Sequence, residues 1–147
     1  MMHTTLRFFG DTSEAQQARL SALVNELAAA ASPLPVSATG VHGFPQPDRA
    51  HVLVLDIADG GPSSVLGELA ARAEEVAVAL GFAREERPYH AHLTLARMRK
   101  AVDVSALRAE AAALPFGHVT AITLYASRSG PAGASYTALA RAAWPVP

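Results

Sequence analysis

The sequence predicts an α+β fold of two lobes, and three observations point to it. Segments with apolar residues at the three-and-four spacing of a helix alternate with segments rich in β-branched and aromatic residues. Tight turns join some of the strands directly, whereas helices connect others. A strand that carries His-x-Thr-Leu, followed by a helix and a strand pair, occurs twice, so the second half resembles a degenerate copy of the first. Two such lobes related by a pseudo-twofold axis would bring the two copies of the motif face to face.

The elements follow one another without long gaps. Thr4 to Phe9 predicts a strand that stops at Gly10, and Asp11 to Glu14 supplies N-cap residues for an amphipathic helix from Ala15 to Ala31. The remaining predicted elements are strands over 34–41 and 51–57, a helix opened by Ser63-Ser64 and ending at Leu80, a strand from His90 to Met98, a helix from Val104 to Leu114 capped by Asp103, a strand from Phe116 to Ala126, a turn over 127–134 and a strand from Ser135 to Ala142.

Size and composition restrict the possible functions. The 147 residues can build one compact domain or two small lobes but not two independent cores, so we expect a single domain over 1–147. The net charge of −1 means that a nucleic acid would have to be held by a local cluster of Arg and Lys. Cysteine is absent, which excludes disulfides and thiolate chemistry. Neither a targeting segment nor a membrane span is evident, so we expect a cytoplasmic protein that does not contact membranes.

The two tetrapeptides, His3-Thr4-Thr5-Leu6 and His92-Leu93-Thr94-Leu95, place the same chemistry on two strands. Successive side chains of a strand point to opposite faces, so each His shares a face with the Thr two residues later. The leucines point the other way and can be buried behind them. Each motif therefore presents one imidazole, which can move a proton near neutral pH, and one hydroxyl, which can donate to a phosphate oxygen.

Two such motifs suit the cleavage of a phosphodiester. A base must take a proton from the attacking oxygen while an acid gives one to the leaving oxygen on the opposite side of phosphorus. Two histidines in different protonation states supply both roles. We expect neither a metal nor an organic cofactor, because no acidic cluster lies near either motif.

The residues carrying these motifs resemble the 2H phosphoesterase superfamily, and within it the bacterial RNA 2′,3′-cyclic phosphodiesterases, once named 2′-5′ RNA ligases. The segment from His3 to Gly10 is similar to a family H-L-T-L-x-F-L-G pattern, and Pro88 to Arg97 is similar to a pattern ending P-H-x-T-L-A-R. Gly43-Phe44-Pro45 and the segment from Ser127 to Tyr136 also match in the same order. The resemblance implies two antiparallel sheets that line a cleft, with the helices outside.

The resemblance also implies an activity. A 2′,3′-cyclic phosphate on an RNA end would be opened to a 2′-phosphomonoester, with reversible 2′-5′ ligation as a side activity. His3 and His92 would be the catalytic pair. The sequence does not decide which of them is the base and which is the acid, and our working hypothesis is that His92 is the base that activates water. Other residues are expected to contact the phosphate, ribose or base: Thr5, Thr94, Arg97, Phe8 and Arg7. Strict alternation puts Arg97 on the far face from His92 unless the strand bulges, so its assignment depends on the resemblance.

Several other histidines and one departure from the family pattern complete the expectations. His90 and His92 would share a face and form half of a metal site, but no further ligands are apparent at matching spacing. His42, His51 and His118 are expected to be structural or exposed. Family members begin with a strand and a helix before the first motif, whereas this chain begins almost at His3. The first lobe is therefore expected to lack that strand and helix, with a sheet edge that a longer N-terminus or a second chain, as in a dimer, would cover.

Two alternative functions remain open at this point. One is a module that binds RNA ends or nucleotides without turning them over. The other is a phosphodiesterase acting on a small cyclic nucleotide. Turnover of a nucleoside 2′,3′-cyclic phosphate distinguishes these alternatives from the main hypothesis.

Overall fold

The structure, a computed structural model, describes residues 2–60, 64–107 and 109–145, and for 109–114 the backbone alone. Its two helices and six strands, in chain order, are α1 (Glu14–Ala29), β1 (Leu34–Phe44), β2 (Ala50–Ala58), α2 (Val65–Ala79), β3 (His92–Val102), β4 (Ala109–Val119), β5 (Ala121–Gly130) and β6 (Gly133–Ala143). The strands form a four-stranded sheet in the order β3-β2-β1-β4 and a two-stranded sheet of β5 and β6. All pairings are antiparallel, so the predicted α+β fold with two antiparallel sheets is confirmed.

The two long helices begin and end where their sequences predict. Ser13 closes a capping box with Gln16, in which each side chain satisfies a backbone N–H of the other residue. Ser64 accepts from the backbone of Gly67 at the start of α2, while Ser63 of the predicted cap lies outside the described residues. Gly81, at φ +92°, ends α2 in the left-handed conformation that glycine adopts at little cost.

Two clusters of buried side chains connect the sheets. Leucines of α1 pack with α2 and with Ile122 of β5, and Trp144 completes this cluster by donating its indole N–H to the carbonyl of Ala28 at 2.8 Å. The second cluster lies behind the four-stranded sheet and includes Leu66 of α2 and Leu93 of β3. Leu6 packs against both clusters, and α2 contributes to both, so the two sheets share a continuous apolar support. Neither of the helices described is long and apolar enough to cross a bilayer.

Three predicted elements are wrong. The single strand predicted from Phe116 to Ala126 is interrupted at Thr120: residues 116–119 end β4 in the four-stranded sheet, and residues 121–126 begin β5 in the two-stranded sheet. The segment from Thr4 to Phe9 is not a strand, and the chain bends at Leu6. A strand needs a neighbour to receive its backbone hydrogen bonds, and among the described residues β5 and β6 pair only with each other. The Ala-rich segment predicted as a helix over 104–114 is instead a short 3-10 turn, Ser105–Leu107, followed by β4; residue 108 lies outside the described part. Pairing with the open edge of β1 overrides the helix propensity of alanine there.

The predicted turn over 127–134 is also shorter in the structure. β5 continues to Gly130 and β6 starts at Gly133, so residues expected in a loop extend the hairpin. The chain reverses in a two-residue turn, Pro131 and Ala132, between the paired Gly130 and Gly133, and Gly133 adopts φ +110° directly after it.

Candidate active site

A bulge in β3 aligns the polar residues of the second motif. On β2 the residues Val52, Val54 and Asp56 alternate onto one face of the sheet. They pair respectively with Arg97, Thr94 and His92. Leu53 pairs with Ala96, and the next residue, Val54, pairs with Thr94. One step along β2 therefore corresponds to two steps along β3, and Leu95 is the extra residue of the bulge. His92, Thr94 and Arg97 therefore share a face, the arrangement that strict alternation would have forbidden.

The same bulge corrects the expectation for the leucines of this motif. Leu93 is buried behind the sheet as predicted, at 7% exposure. Leu95, expected to be buried beside it, is 48% exposed because it is the residue left out of the ladder. One buried leucine thus anchors His92 and Thr94 from behind.

A backbone carbonyl fixes the imidazole of His92. Its Nδ1 lies 2.9 Å from the carbonyl oxygen of His90. A carbonyl can only accept, so Nδ1 carries the hydrogen and the ring presents Nε2 as its free nitrogen. In the neutral ring Nε2 has a lone pair and can act as a base.

A carboxylate next to this motif receives two further imidazoles. Asp56 accepts from Nδ1 of His42 at 2.9 Å through one oxygen and from Nε2 of His90 at 2.6 Å through the other. The His90 ring lies 6.2 Å from that of His92, centroid to centroid. Phe44, at the end of β1, contacts the His42 ring edge-on and is 42% exposed. The second motif is therefore the centre of a larger polar group.

Sequence reasoning missed most of that group. The sequence predicts a structural or exposed role for His42 and gives no role to Asp56. One sequence signal was available. His42 and Phe44 are two positions apart on one strand, and Val54 and Asp56 are two positions apart on another, so the members of each pair share a face of their strand. Which strands are neighbours, and in what register, follows from pairing across the sheet and is not visible in the sequence.

The first motif rests on the β5–β6 hairpin. The His3 ring lies 5.9 Å from that of Tyr136 and 6.5 Å from that of Tyr125, measured between centroids. His3 and Thr5 are both exposed, while Thr4 between them turns inward. His3 and Thr5 are therefore both accessible from solvent, although the segment is not a strand.

A buried contact links the first motif to the segment just before the second. The hydroxyl oxygens of Thr4 and Tyr89 are both buried, and the two side chains are within reach of each other. Burial raises the pKa of the Tyr89 phenol above its ordinary value, and the Thr4 hydroxyl partly opposes this shift. Tyr89 directly precedes His90, so the two motifs are supported at a common point.

Strict alternation along a strand predicts that Arg7 shares the exposed side of His3. The structure shows that it does not. Because the chain bends at Leu6, Arg7 turns inward, where its side chain is 12% exposed and forms an ion pair with Glu74 of α2. It also donates to the carbonyls of Ala83, at 2.6 Å, and Phe8, at 2.8 Å. Arg7 thereby attaches the N-terminal segment to α2. Phe8 is 70% exposed and packs against neither of the two hydrophobic clusters.

Two antiparallel sheets, with a His-x-Thr-Leu segment against each, are the defining features of a 2H phosphoesterase. The chain belongs to the 2′-5′ RNA ligase superfamily, whose sequence profile matches residues 1–130. The resemblance seen in the sequence is therefore confirmed.

Two relatives are each 30% identical to this chain over the residues that match. One is an RNA 2′,3′-cyclic phosphodiesterase of Aeropyrum pernix, matched over 105 residues that make up 71% of this chain and 57% of the relative. The other, of the same description, is from Methanothermobacter thermautotrophicus and is matched over 141 residues, 92% of this chain and 74% of the relative. The chain thus spans little more than half of the first relative and about three quarters of the second.

Solved structures show the same fold. The protein TT0787 of Thermus thermophilus superposes with a TM-score of 0.76 at 23% identity, covering 97% of this chain and 77% of that protein. LigT of E. coli, crystallised with 3′-AMP, superposes with a TM-score of 0.68 at 24% identity, covering 97% of this chain and 76% of that protein.

Proposed function

We propose that this protein is an RNA 2′,3′-cyclic phosphodiesterase that opens the cyclic phosphate to a 2′-phosphomonoester by acid–base catalysis with His3 and His92. The observation that carries the proposal is the alignment of His92, Thr94 and Arg97 on one face through the bulge at Leu95. A base, a hydroxyl donor and a cation on one face suit a reacting phosphate. The relatives from Aeropyrum and Methanothermobacter bear the name of this activity.

His92 suits the role of base. With Nδ1–H held by the His90 carbonyl, the neutral ring offers the Nε2 lone pair to a water molecule. That lone pair takes a proton as the water oxygen bonds to phosphorus. The P–O3′ bond breaks, and protonated His3 gives its proton to the departing 3′ oxygen. The products are a 2′-phosphomonoester and a free 3′-hydroxyl, and the proton gained by His92 returns to His3 through solvent between turnovers.

The remaining groups bind the substrate. Thr94 and Thr5 are exposed beside their histidines and donate to the non-bridging phosphate oxygens, whose charge Arg97 balances. Phe8 is exposed and offers a face on which a base can stack. Arg7 is left out of this set because Glu74 and two carbonyls occupy its guanidinium.

We propose 2′-5′ ligation as a minor reaction of the same groups. A 5′-hydroxyl in the place of water would be deprotonated by His92 and attack phosphorus in the same way. The product is a 2′-5′ phosphodiester with a free 3′-hydroxyl, and the reverse reaction regenerates the cyclic phosphate. Water at its bulk concentration favours hydrolysis.

The test follows the fate of a cyclic phosphate by ³¹P NMR. Adenosine 2′,3′-cyclic phosphate and a short RNA with the same end are each incubated with the protein, with His92→Ala and with the matched control His118→Ala, whose exposed histidine lies on β4. We expect the 2′-phosphomonoester from wild type and control, and none from His92→Ala. A 3′-phosphomonoester would contradict the proposed bond cleavage. Binding without turnover would instead support the binding module, and turnover of the mononucleotide alone would support the small-nucleotide alternative.

A further inference from the structure

We propose that His42, Asp56 and His90 form a binding site for a divalent transition-metal ion. Each offers one ligand atom, and the three atoms lie within 4.8 Å of one another. Within the described ranges this is the one group of three or more such side chains that converges in this way. His42 comes from β1, Asp56 from β2, and His90 from the segment that leads into β3. Three separate parts of the chain therefore bring their ligands to one point.

The distances suit a metal after a small adjustment. Ligand atoms around a tetrahedral Zn²⁺, at bond lengths of about 2.0–2.1 Å, lie roughly 3.3 Å apart. The carboxylate oxygens of Asp56 are 2.9 Å from Nδ1 of His42 and 2.6 Å from Nε2 of His90. These two contacts use different oxygens of the carboxylate, whereas the three ligand atoms of the site, one from each residue, lie within 4.8 Å of one another and must move to roughly 3.3 Å apart. Displacements on the order of an ångström, within the range of side-chain rotation, complete the site.

The protonation states are also compatible with a metal. Asp56 is an acceptor for both imidazoles and is therefore a ready anionic ligand. Each imidazole must move its hydrogen to the other ring nitrogen, a change of tautomer that leaves the ring neutral. Two nitrogens and one oxygen form a donor set that favours Zn²⁺, Ni²⁺, Cu²⁺ and Co²⁺ over Mg²⁺ and Ca²⁺.

The site is both supported and accessible. The side chains of Asp56 and His42 are 21% and 27% exposed, and they are fixed by the ladder between β1 and β2. His90 is 57% exposed, which gives an ion a path from solvent and leaves room for a further ligand. An ion on Nε2 of His90 leaves the His92 ring free, because His92 is held by the backbone carbonyl of His90 and not by its imidazole. The proposed site and the proposed catalytic histidine can therefore be tested separately.

Calorimetric titration of the whole protein with Zn²⁺, and with Ni²⁺ in a second series, tests the proposal. We expect one ion per chain and a loss of affinity of at least about tenfold in each of His42→Ala, Asp56→Asn and His90→Ala, since even outer-shell changes cost that much. The controls His118→Ala and His92→Ala keep the affinity of the wild type. Substitution with Co²⁺ gives a second readout, because its visible absorption reports the ligand field, and Mg²⁺ in excess should not compete.

Three results would overturn the proposal. The first is an affinity for Zn²⁺ that is the same in wild type and Asp56→Asn, which would show that the ion binds elsewhere. The second is a loss of affinity in His92→Ala as large as in His42→Ala, which would place the ion between His90 and His92. The third is no binding by a wild-type protein that is folded by circular dichroism. Each variant is checked in the same way, and Asp56→Asn, which keeps its shape, serves where an alanine variant fails to fold.

Discussion

Replacing Gly43 by alanine should damage the support of the candidate site. Gly43 lies on β1 between His42 and Phe44, and a Cβ atom there would be 2.5 Å from Cγ2 of Val104 and 2.6 Å from Cβ of Ala50. Carbon atoms in van der Waals contact stay about 3.5–4.0 Å apart. Both neighbours are buried, the Ala50 Cβ is fixed to the backbone, and valine has little χ1 freedom. Neither contact can be relieved without a shift of the backbone.

Overpacking of this kind costs about 1–3 kcal/mol, a large part of the roughly 5–15 kcal/mol by which a domain is stable. For a chain of about this size each kcal/mol lowers Tm by about 2–4 °C, so Gly43→Ala should lose about 2–12 °C. The assay is thermal and urea unfolding followed by circular dichroism. Gly117→Ala on β4 is the control, because a Cβ there meets no atom within 4 Å. If both variants have the same Tm and the same urea midpoint as the wild type, the close packing of Gly43, Val104 and Ala50 is refuted.

Three further changes test other parts of the structure. Gly81→Ala forces a Cβ onto the left-handed residue at φ +92° that ends α2, and urea unfolding should show a loss of about 1–2 kcal/mol; an unchanged midpoint would mean that the helix ends differently. Arg97→Ala should lower kcat/KM for the cyclic phosphate by about 10–150-fold, the equivalent of one charged hydrogen bond of about 1.5–3 kcal/mol, and an unaffected rate would remove Arg97 from the phosphate site. Burial raises the pKa of Tyr89 above its ordinary 10.0, so the unfolded chain releases this proton first and the stability of the fold should decrease as pH rises beyond that value. In Tyr89→Phe the decrease in stability between pH 9 and 11, about one unit on either side of the ordinary phenol pKa, should be shallower. Equal slopes in the variant and the wild type would contradict the raised pKa.

Local signals explain why both long helices could be predicted. Ser13 and Gly81 are residues whose own chemistry starts or ends a helix, and the leucines between Leu20 and Leu27 recur at helical spacing. The wrong elements are decided by pairing across the sheet. The Ala-rich segment before Pro115 has helix propensity and a cap residue in Asp103, but pairing with the open edge of β1 overrides both. The N-terminal segment has the composition of a strand but no partner among the described residues.

The candidate site shows the same division. His92 and Thr94 could be identified because a short motif and strand alternation are both local properties. Arg97 could be placed beside them only with the bulge at Leu95, which depends on the pairing of β3 with β2. Asp56 and its two imidazoles meet across three parts of the chain, so their convergence appears only once the register of the sheet is known.

The most direct test of the central claim compares His3→Ala, His92→Ala and the double variant in the hydrolysis of a 2′,3′-cyclic phosphate. Residues that act as acid and base in one step are strongly non-additive, so each single change should remove nearly all turnover and the double variant should be hardly slower. Hydrolysis that survives either single change, with the protein still folded, would contradict the two-histidine mechanism.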